Sequence, residues 1–563
     1  MLRRAAAASN AAGSGPSPSR PIPFARLALL PLVLVLGTVV GLGTYCEASD
    51  DTSLAWLFSG VLATGPVPSV PLYFHGYGHV LALLYKVKPE VPWFGLLLGG
   101  GLGTATVFVF AVLDRLLRPH LRPLALGLAL AGFFAVGWLE HWLLFSYVRV
   151  AVLLAGAAVL FAAQRPGRWV ALVGGLTGLG AAWLMRPSLA LLGFGAVMPA
   201  ALLLAGSWRR AAPVLLGGVL LLSLASTVAA GLRTPAQART QALDGYLARV
   251  LDFNQLEPAP RTAADSLGVT ATRLWLLGDS TATNPALYRR VYRFDAGNFF
   301  DHTVPAKLRA RLPLLGRDYF PLLLALAASW ALWPRRRGGN GWFWWVQVGF
   351  AGALLAIAGV LKLPPRLALP LLDFWVLNNL VFLLKNPPAE SWLPALGRRR
   401  ARRYVLGAVV VLVFGAYAAK TLHRRRVLGQ GQARHARTLA ELARRTAGQV
   451  RVMAGTADLL KSLSPFRTYA PGPGPILALS GWPAHDASQR ALCRALTGAP
   501  GQADALRRLA RRPLGSVAWV LAVPEAAWLG AAAHRAPASE RWALRPGPAL
   551  ATDSTLRFYY PAP

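Results

Sequence analysis

Long apolar runs recur through the whole chain, and they constrain its fold more than any motif. They lie near residues 24–44, 91–113, 124–140, 144–163, 168–185, 188–206, 211–231, 319–333, 342–361, 367–384 and 404–420. About 20 apolar residues carry a helix across a bilayer. Backbone groups in lipid must be satisfied within the segment, so runs of this kind are read as helices. With 55% hydrophobic residues, 15% charged and a mean hydropathy of +0.43, the expected class is an α-helical polytopic membrane protein of about 11 transmembrane helices. Residues 1–23 are small, basic and rich in Pro and Ser, and read as a disordered cytoplasmic N-terminus. The run that follows is too long for a signal-peptide core and lacks a clear cleavage site, so it reads as a retained first helix.

The formal charge is +36, which in a soluble protein would suggest nucleic acid. Here the basic clusters at Arg3 and Arg4, 114–122, 165–168, Arg209 and Arg210, 335–337 and 398–403 all fall on one side of the expected spans. The positive-inside rule makes that side cytoplasmic. One cluster, "HRRR" at 423–426, breaks the pattern. The expected location is the bacterial inner (cytoplasmic) membrane, multi-pass, with the N-terminus cytoplasmic and the C-terminal region periplasmic. A transmembrane domain over 24–420 then carries outer loops 45–90 and 232–318, followed by an extracytoplasmic region 421–563. In that region "PILALSG" and "SVAWVLAVP" read as buried strands, and "DASQRALCRALTG" and "EAAWLGAAAHR" as helices. A small α/β C-terminal domain is expected. Cys46 and Cys493 both fall outside and read as unpaired thiols, with one disulfide as the alternative.

The first outer loop gathers acids. Glu47, Asp50 and Asp51 follow the first apolar run directly, ahead of "TSLAWLFSG" and "LYFHGYGHVLALLYKVKP", which suit short helices lying in the interface. Carboxylates at a membrane edge are costly and mark functional sites. Helix capping by Ser49, Asp50 or Asp51 is the competing explanation, and it accounts for one acid rather than three.

The segments "SDDTSLAWLFSG" (49–60) and "PEVPWFGLLLGG" (89–100) carry an acid pair, then Ser-Gly, then Pro-Trp entering the second span. With the interfacial helices, the span count and the outer C-terminal domain, this pattern resembles the GT-C superfamily of membrane glycosyltransferases. It is similar to poorly characterised bacterial polytopic membrane proteins of that type. The resemblance implies a polyprenyl-phosphate-linked sugar as donor, transfer on the outer face with inversion, and a glycan, lipid or protein acceptor. Asp50 or Asp51 would deprotonate the acceptor or help hold a divalent metal (Mg or Mn). A leaving phosphate needs cations, and Arg149, Arg186, Arg233, Lys362 and Arg366 all fall at the outer edge, where snorkelling is the competing reading. The better placed are Arg186 and Arg366, in short Pro-containing turns.

Glu140 and His141, at the tip of the 124–163 hairpin, are candidates for a second acid or metal partner. His75 and His79 could face the same site, although Gly76 and Gly78 weaken a helical spacing. Asp373 lies inside a span, where it would pair with an arginine or another helix. The Gly-rich run 95–108 lacks the features of a phosphate loop and reads as close helix packing. Ser480 does not sit in a nucleophile elbow. The alternatives are a lipid-linked glycan flippase or exporter, and a non-catalytic subunit of envelope polysaccharide assembly. Transporters place ionisable groups near the midplane, whereas this chain gathers them at one edge.

Overall fold

The computed structural model describes residues 25–70, 75–333, 341–385, 400–469 and 472–562. The expected disordered segment 1–23 and the basic clusters at Arg3 and Arg4 and at 335–337 lie outside the described residues. The described chain is mostly helical. Its bundle is formed by α1 (Ala25–Leu42), α2 (Ser49–Ser59), α3 (Gly78–Val87), α4 (Trp93–Leu117), α5 (Pro123–Leu143), α6 (Tyr147–Ala163), α7 (Trp169–Met185), α8 (Pro187–Ala205) and α9 (Trp208–Gly231). It is completed by α10 (Val304–Leu332), α11 (Trp342–Gly359), α12 (Pro365–Lys385) and α13 (Arg400–Arg445). Among the described residues, seven helices are long and apolar enough to cross a membrane: α1, α4, α5, α8, α9, α11 and α12. Helices α6 and α7 are apolar but shorter, at 17 residues each. Large apolar side chains such as Leu220, Val348 and Leu412 face outward, which is the surface of a membrane protein.

Helix α6 is the axis of the bundle, with nearly every residue buried between α4, α7, α8 and α12. Such close packing needs small residues. At Gly156 a methyl group would lie 2.2 Å from the Phe374 ring of α12. A polar clamp ties α10, α11 and α12 together: the Trp330 and Trp375 indoles donate to Gln347 Oε1 at 2.7 and 2.6 Å, and Asn379 donates to Ser329 at 2.7 Å. Helix α10 is kinked at Tyr319, two residues before Pro321.

The tip between α5 and α6 is extended rather than helical. Leu144–Phe145 pairs in parallel with Tyr45–Cys46, which anchors the start of the acidic loop on the axis. Ser146 caps α6 by accepting from the Val148 N–H.

A second body stands on the α2 end of the bundle. Its five strands are β1 (Val450–Ala454), β2 (Ile476–Ala478), β3 (Val517–Ala522), β4 (Leu544–Ala549) and β5 (Leu556–Pro561), in spatial order β2-β1-β3-β5-β4. The first three are parallel and the last two antiparallel. Helices Ala487–Thr497, Gln502–Ala510 and Val523–His534 cover the sheet. The segment 232–303 joins this body: Ala271 and Leu276 share a core with Val452 and Trp519, and the Trp528 indole donates to Leu267 O at 2.9 Å.

One expectation is corrected. The boundary at 421 falls inside α13, a helix of 46 residues and about 69 Å that carries the chain from bundle to sheet without a break. Glycines 429 and 431 within it weaken a helix but do not end one. Cys46 and Cys493 are both free and buried, as the unpaired-thiol reading expects.

The sheet body is stitched back onto α2 and α4 by the segment after β1. Thr52 donates to Leu460 O at 2.9 Å, the Cys46 N–H donates to Leu463 O at 2.8 Å, and Gly95 lies against Pro465. A methyl group at Gly95 would sit 1.9 Å from Pro465 O, a backbone atom that cannot swing aside. Gly95→Ala is therefore expected to cost about 1–3 kcal/mol. It should lower the detergent-solubilised melting temperature and expose the 464–469 segment to protease, measured against wild type.

Candidate functional site

Asp50 and Asp51 occupy the first turn of α2, but neither caps it: the N-cap residue is Ala48, with no side-chain cap bond. Adjacent residues on a helix point about 100° apart, and the two acids meet different surroundings. Asp50 is partly exposed. Its Oδ2 accepts from Arg366 at 3.3 Å and its Oδ1 from the Trp482 indole at 3.2 Å. Asp51 is fully buried, and its Oδ1 accepts from the Tyr147 N–H, at the first residue of α6, at 2.9 Å. Asp51 thus sits at the amino ends of two helices, where backbone dipoles favour an anion. Its Oδ2 has no hydrogen-bond partner among the described residues. Burial is the dominant influence and pushes its pKa up to about 7. The Tyr147 N–H and Arg366 pull the other way, while Asp50 and Glu47 add to the rise.

Arg186 reaches the same place through Tyr147, donating to the phenol oxygen at 3.2 Å. His75 is buried beside it, with its ring 5.0 Å from that of Tyr147 and its Nδ1 3.0 Å from Tyr77 Oη. Burial first, then Arg186, lowers its pKa to about 3, so the imidazole is neutral. His79 is exposed, so the two histidines do not face one site, in keeping with the weakened helical spacing at Gly76 and Gly78. Lys362 is also placed elsewhere, bonded to Asp252 at 2.7 Å, and Arg233 is exposed.

Beneath the acid pair lies a cluster of buried charges. Arg149 is fully buried, donating to Glu47 at 2.8 Å and to His141 Nδ1 at 3.2 Å, with Glu140 at 4.0 Å. Because arginine only donates, His141 Nδ1 must accept. Its proton is then on Nε2, facing Asp373 Oδ2 at 2.7 Å. Glu140 is held by Arg424 at 2.6 Å, Tyr417 at 3.1 Å and Lys420 at 3.5 Å. Arg424 also reaches Asp318 at 3.2 Å, just before the Tyr319 kink. Glu47, Glu140 and Asp318 thus face Arg149, Lys420 and Arg424, three acids against three bases.

The placement corrects several sequence expectations. Arg149 is sealed under Glu47 and does not open to a phosphate. Glu140 and His141 are buried and join helices, Glu140 to α13 and His141 to α12. The exceptional "HRRR" cluster supplies Arg424 to this network. Tyr147, Asp318, Tyr417, Lys420 and Trp482 were not singled out from sequence. The broken charge pattern at 423–426 was the one signal that pointed toward them.

Two cavities lie on the bundle, and one of them is lined by Asp51. A cleft of about 390 Å³ opens between α2, α3, the start of α4 and the 464–469 segment; Asp51, Trp56, Tyr85, Phe94 and Arg467 line it. An apolar groove of about 710 Å³ runs along the bundle surface between α8, α11 and α12, past Leu191, Pro199, Trp345 and Phe350. At one end it includes Ser188 and Leu371, two and five residues from Arg186 and Arg366.

The carboxylates do not make a divalent-metal site. Glu47 is committed to Arg149 and Asp50 to Arg366 and Trp482, leaving Asp51 Oδ2 alone. Among the described residues no group of three or more His, Cys, Asp or Glu is arranged to hold a metal ion.

Removing Arg149 takes the ion-pair partner from Glu47 and a donor from His141. Arg149→Met is expected to destabilise the protein by about 3–5 kcal/mol and to lower membrane abundance. Adding Glu47→Gln should restore part of the loss. Thermal unfolding in detergent of both variants measures this.

The chain matches no family model, no curated protein and no solved structure.

Proposed function

We propose that this chain is a GT-C-like glycosyltransferase, moving a sugar from a polyprenyl-phosphate donor to a cell-envelope acceptor on the outer face of the bacterial cytoplasmic membrane. In this reading eleven helices span the bilayer, with the N-terminus cytoplasmic and the sheet body outside. The observation that carries the reading is the unpartnered, buried Asp51 Oδ2, which lines a cleft, beside an apolar groove elsewhere on the bundle whose lining begins within a few residues of Arg186 and Arg366.

The apolar groove suits an isoprenoid tail, and Arg366 and Arg186 suit the donor phosphate at its end. An acceptor hydroxyl in the cleft gives its proton to Asp51 Oδ2 as its oxygen bonds to the anomeric carbon. The carbon–oxygen bond to phosphate breaks on the opposite face, so the configuration inverts and polyprenyl phosphate leaves. Asp50 holds Arg366 toward that phosphate. The apolar walls exclude water, which would otherwise compete as acceptor. Transport is less well supported: at depth, His141 and Asp373 bond to each other and do not line an open path.

A base must be ionised to act, so transfer should rise with pH through about 7, where Asp51 titrates. The same raised pKa has the opposite effect on stability. The folded chain favours protonated Asp51, so this contribution is full below the ordinary carboxylate pKa of about 4. It is lost as pH climbs through about 7. Asp51→Asn is expected to lower transfer by at least about a hundredfold without reducing membrane abundance. Turnover of a lipid-phosphate sugar by the purified protein, with glycan mass spectrometry of the envelope, reads this out. Wild-type transfer by Asp51→Asn would overturn the proposal.

A further inference from the structure

The sheet body carries a third cavity, away from the acid pair. It measures about 290 Å³ and lies where β1 and β3 begin and β5 ends, at the opposite end of these strands from the segments that touch α2. Arg445 lines it at the end of α13. That residue is 21 positions beyond Arg424, or about 32 Å along a helix. The cavity is therefore remote from the charge cluster and belongs to no step described above.

Its lining combines two chemistries. Arg445, Arg512 and Gln449 supply donors, and Phe558, Tyr560 and Leu514 supply apolar surface. No Asp or Glu lines it. Arg445 is held in place from two sides: Glu441 accepts from it at 3.0 Å, and its guanidinium lies 4.6 Å from the centre of the Phe558 ring. Glu441 is itself fixed by the N–H groups of Ala551 and Thr552 at 3.2 and 3.1 Å. Arg512 is fixed by the carbonyl of Leu496. Both arginines keep donors beyond these bonds, since each has five. Leu514 and Tyr560 stand 75% and 45% exposed at the rim, an unusual pair of large apolar side chains on a water-facing edge.

The surroundings carry the same sign. Residues 441–563, away from the span end, contain 15 Lys and Arg against 7 Asp and Glu. The positive-inside rule does not account for this excess, because it concerns short loops next to spans. Fixed guanidinium forks match carboxylate or phosphate, and an exposed aromatic face beside them matches the apolar face of a sugar ring.

We infer that this distal cleft binds an acidic glycan, a chain whose sugars carry carboxylate or phosphate groups. The inference goes beyond the transferase reading and does not depend on it, since it concerns binding at a separate place.

The test uses the full-length protein in detergent and calorimetric titration. The probes are an oligogalacturonate, a neutral malto-oligosaccharide of equal length, inorganic phosphate, single-stranded DNA, and nanodiscs of anionic lipid. The oligogalacturonate should bind, and the neutral chain at least about tenfold more weakly. Arg512→Gln and Tyr560→Ala should each weaken oligogalacturonate binding by about tenfold with an unchanged melting temperature. Asp51→Asn should leave this binding unchanged, which separates a failure here from a failure of the transferase reading. Equal binding of charged and neutral chains would overturn the inference. So would oligogalacturonate binding that ignores both cleft substitutions, or a loss on substitution confined to DNA, lipid or free phosphate.

Discussion

Arg149 is a full charge with no exposed surface, inside a bundle whose outward face is hydrocarbon-like. A buried charge left uncompensated costs several kcal/mol, so the fold around it is obliged to bring anions. It takes Glu47 from the end of the first helix and Glu140 from the tip of α5, and the latter in turn requires Lys420 and Arg424 of α13. Arg424 then reaches Asp318 at the kink of α10. Five distant parts of the chain converge because none of these charges is tolerable alone. Apolar packing can slide, whereas ion pairs at fixed distance do not, so the cluster sets the register of these helices.

That register decides what lies above it. Glu47 is fixed by Arg149, and α2 begins two residues later, so the acid pair has little freedom. The same cluster holds α13, which leads to the sheet body, whose Trp482 returns to Asp50. Bundle and sheet body therefore meet at the acids themselves. A displacement of one body relative to the other would be felt first at the Asp50–Trp482 and Thr52–Leu460 contacts.

What could be read from sequence follows the range over which each signal acts. The apolar runs are local, and helices are found over each of them. The acids at 47, 50 and 51 were also local, and the structure divides them: Glu47 is the counter-charge of buried Arg149, while the pair at 50 and 51 opens α2. The contact of Arg366 with Asp50 joins residues 316 positions apart, yet both were marked by their place at a membrane edge. Arg149 was marked in the same way and misread, because a charge near a span end looks alike whether it faces phosphate or a buried Glu47. Lys362 was misread for a similar reason, since Asp252 lies in a polar segment with no pattern of its own. The continuity of α13 was hidden by a change from apolar to basic composition, which marks a change of solvent and not the end of a helix. Strands β4 and β5 carry proline and alternate weakly, so periodicity did not reveal them.

The separation of the two acids follows from helix geometry alone. At about 100° per residue, neighbours cannot share one environment. Asp50 meets a cation and an indole at a partly open edge. Asp51 meets the amino end of α6 in a closed one. A carboxylate held by a guanidinium and an indole serves as a fixed counter-charge. One that is desolvated, with a single oxygen tied to a backbone N–H and the other free, exchanges a proton near neutrality. One turn of helix thus yields one group suited to hold a cation and another suited to accept a proton, from the same residue type and with no third residue to tell them apart.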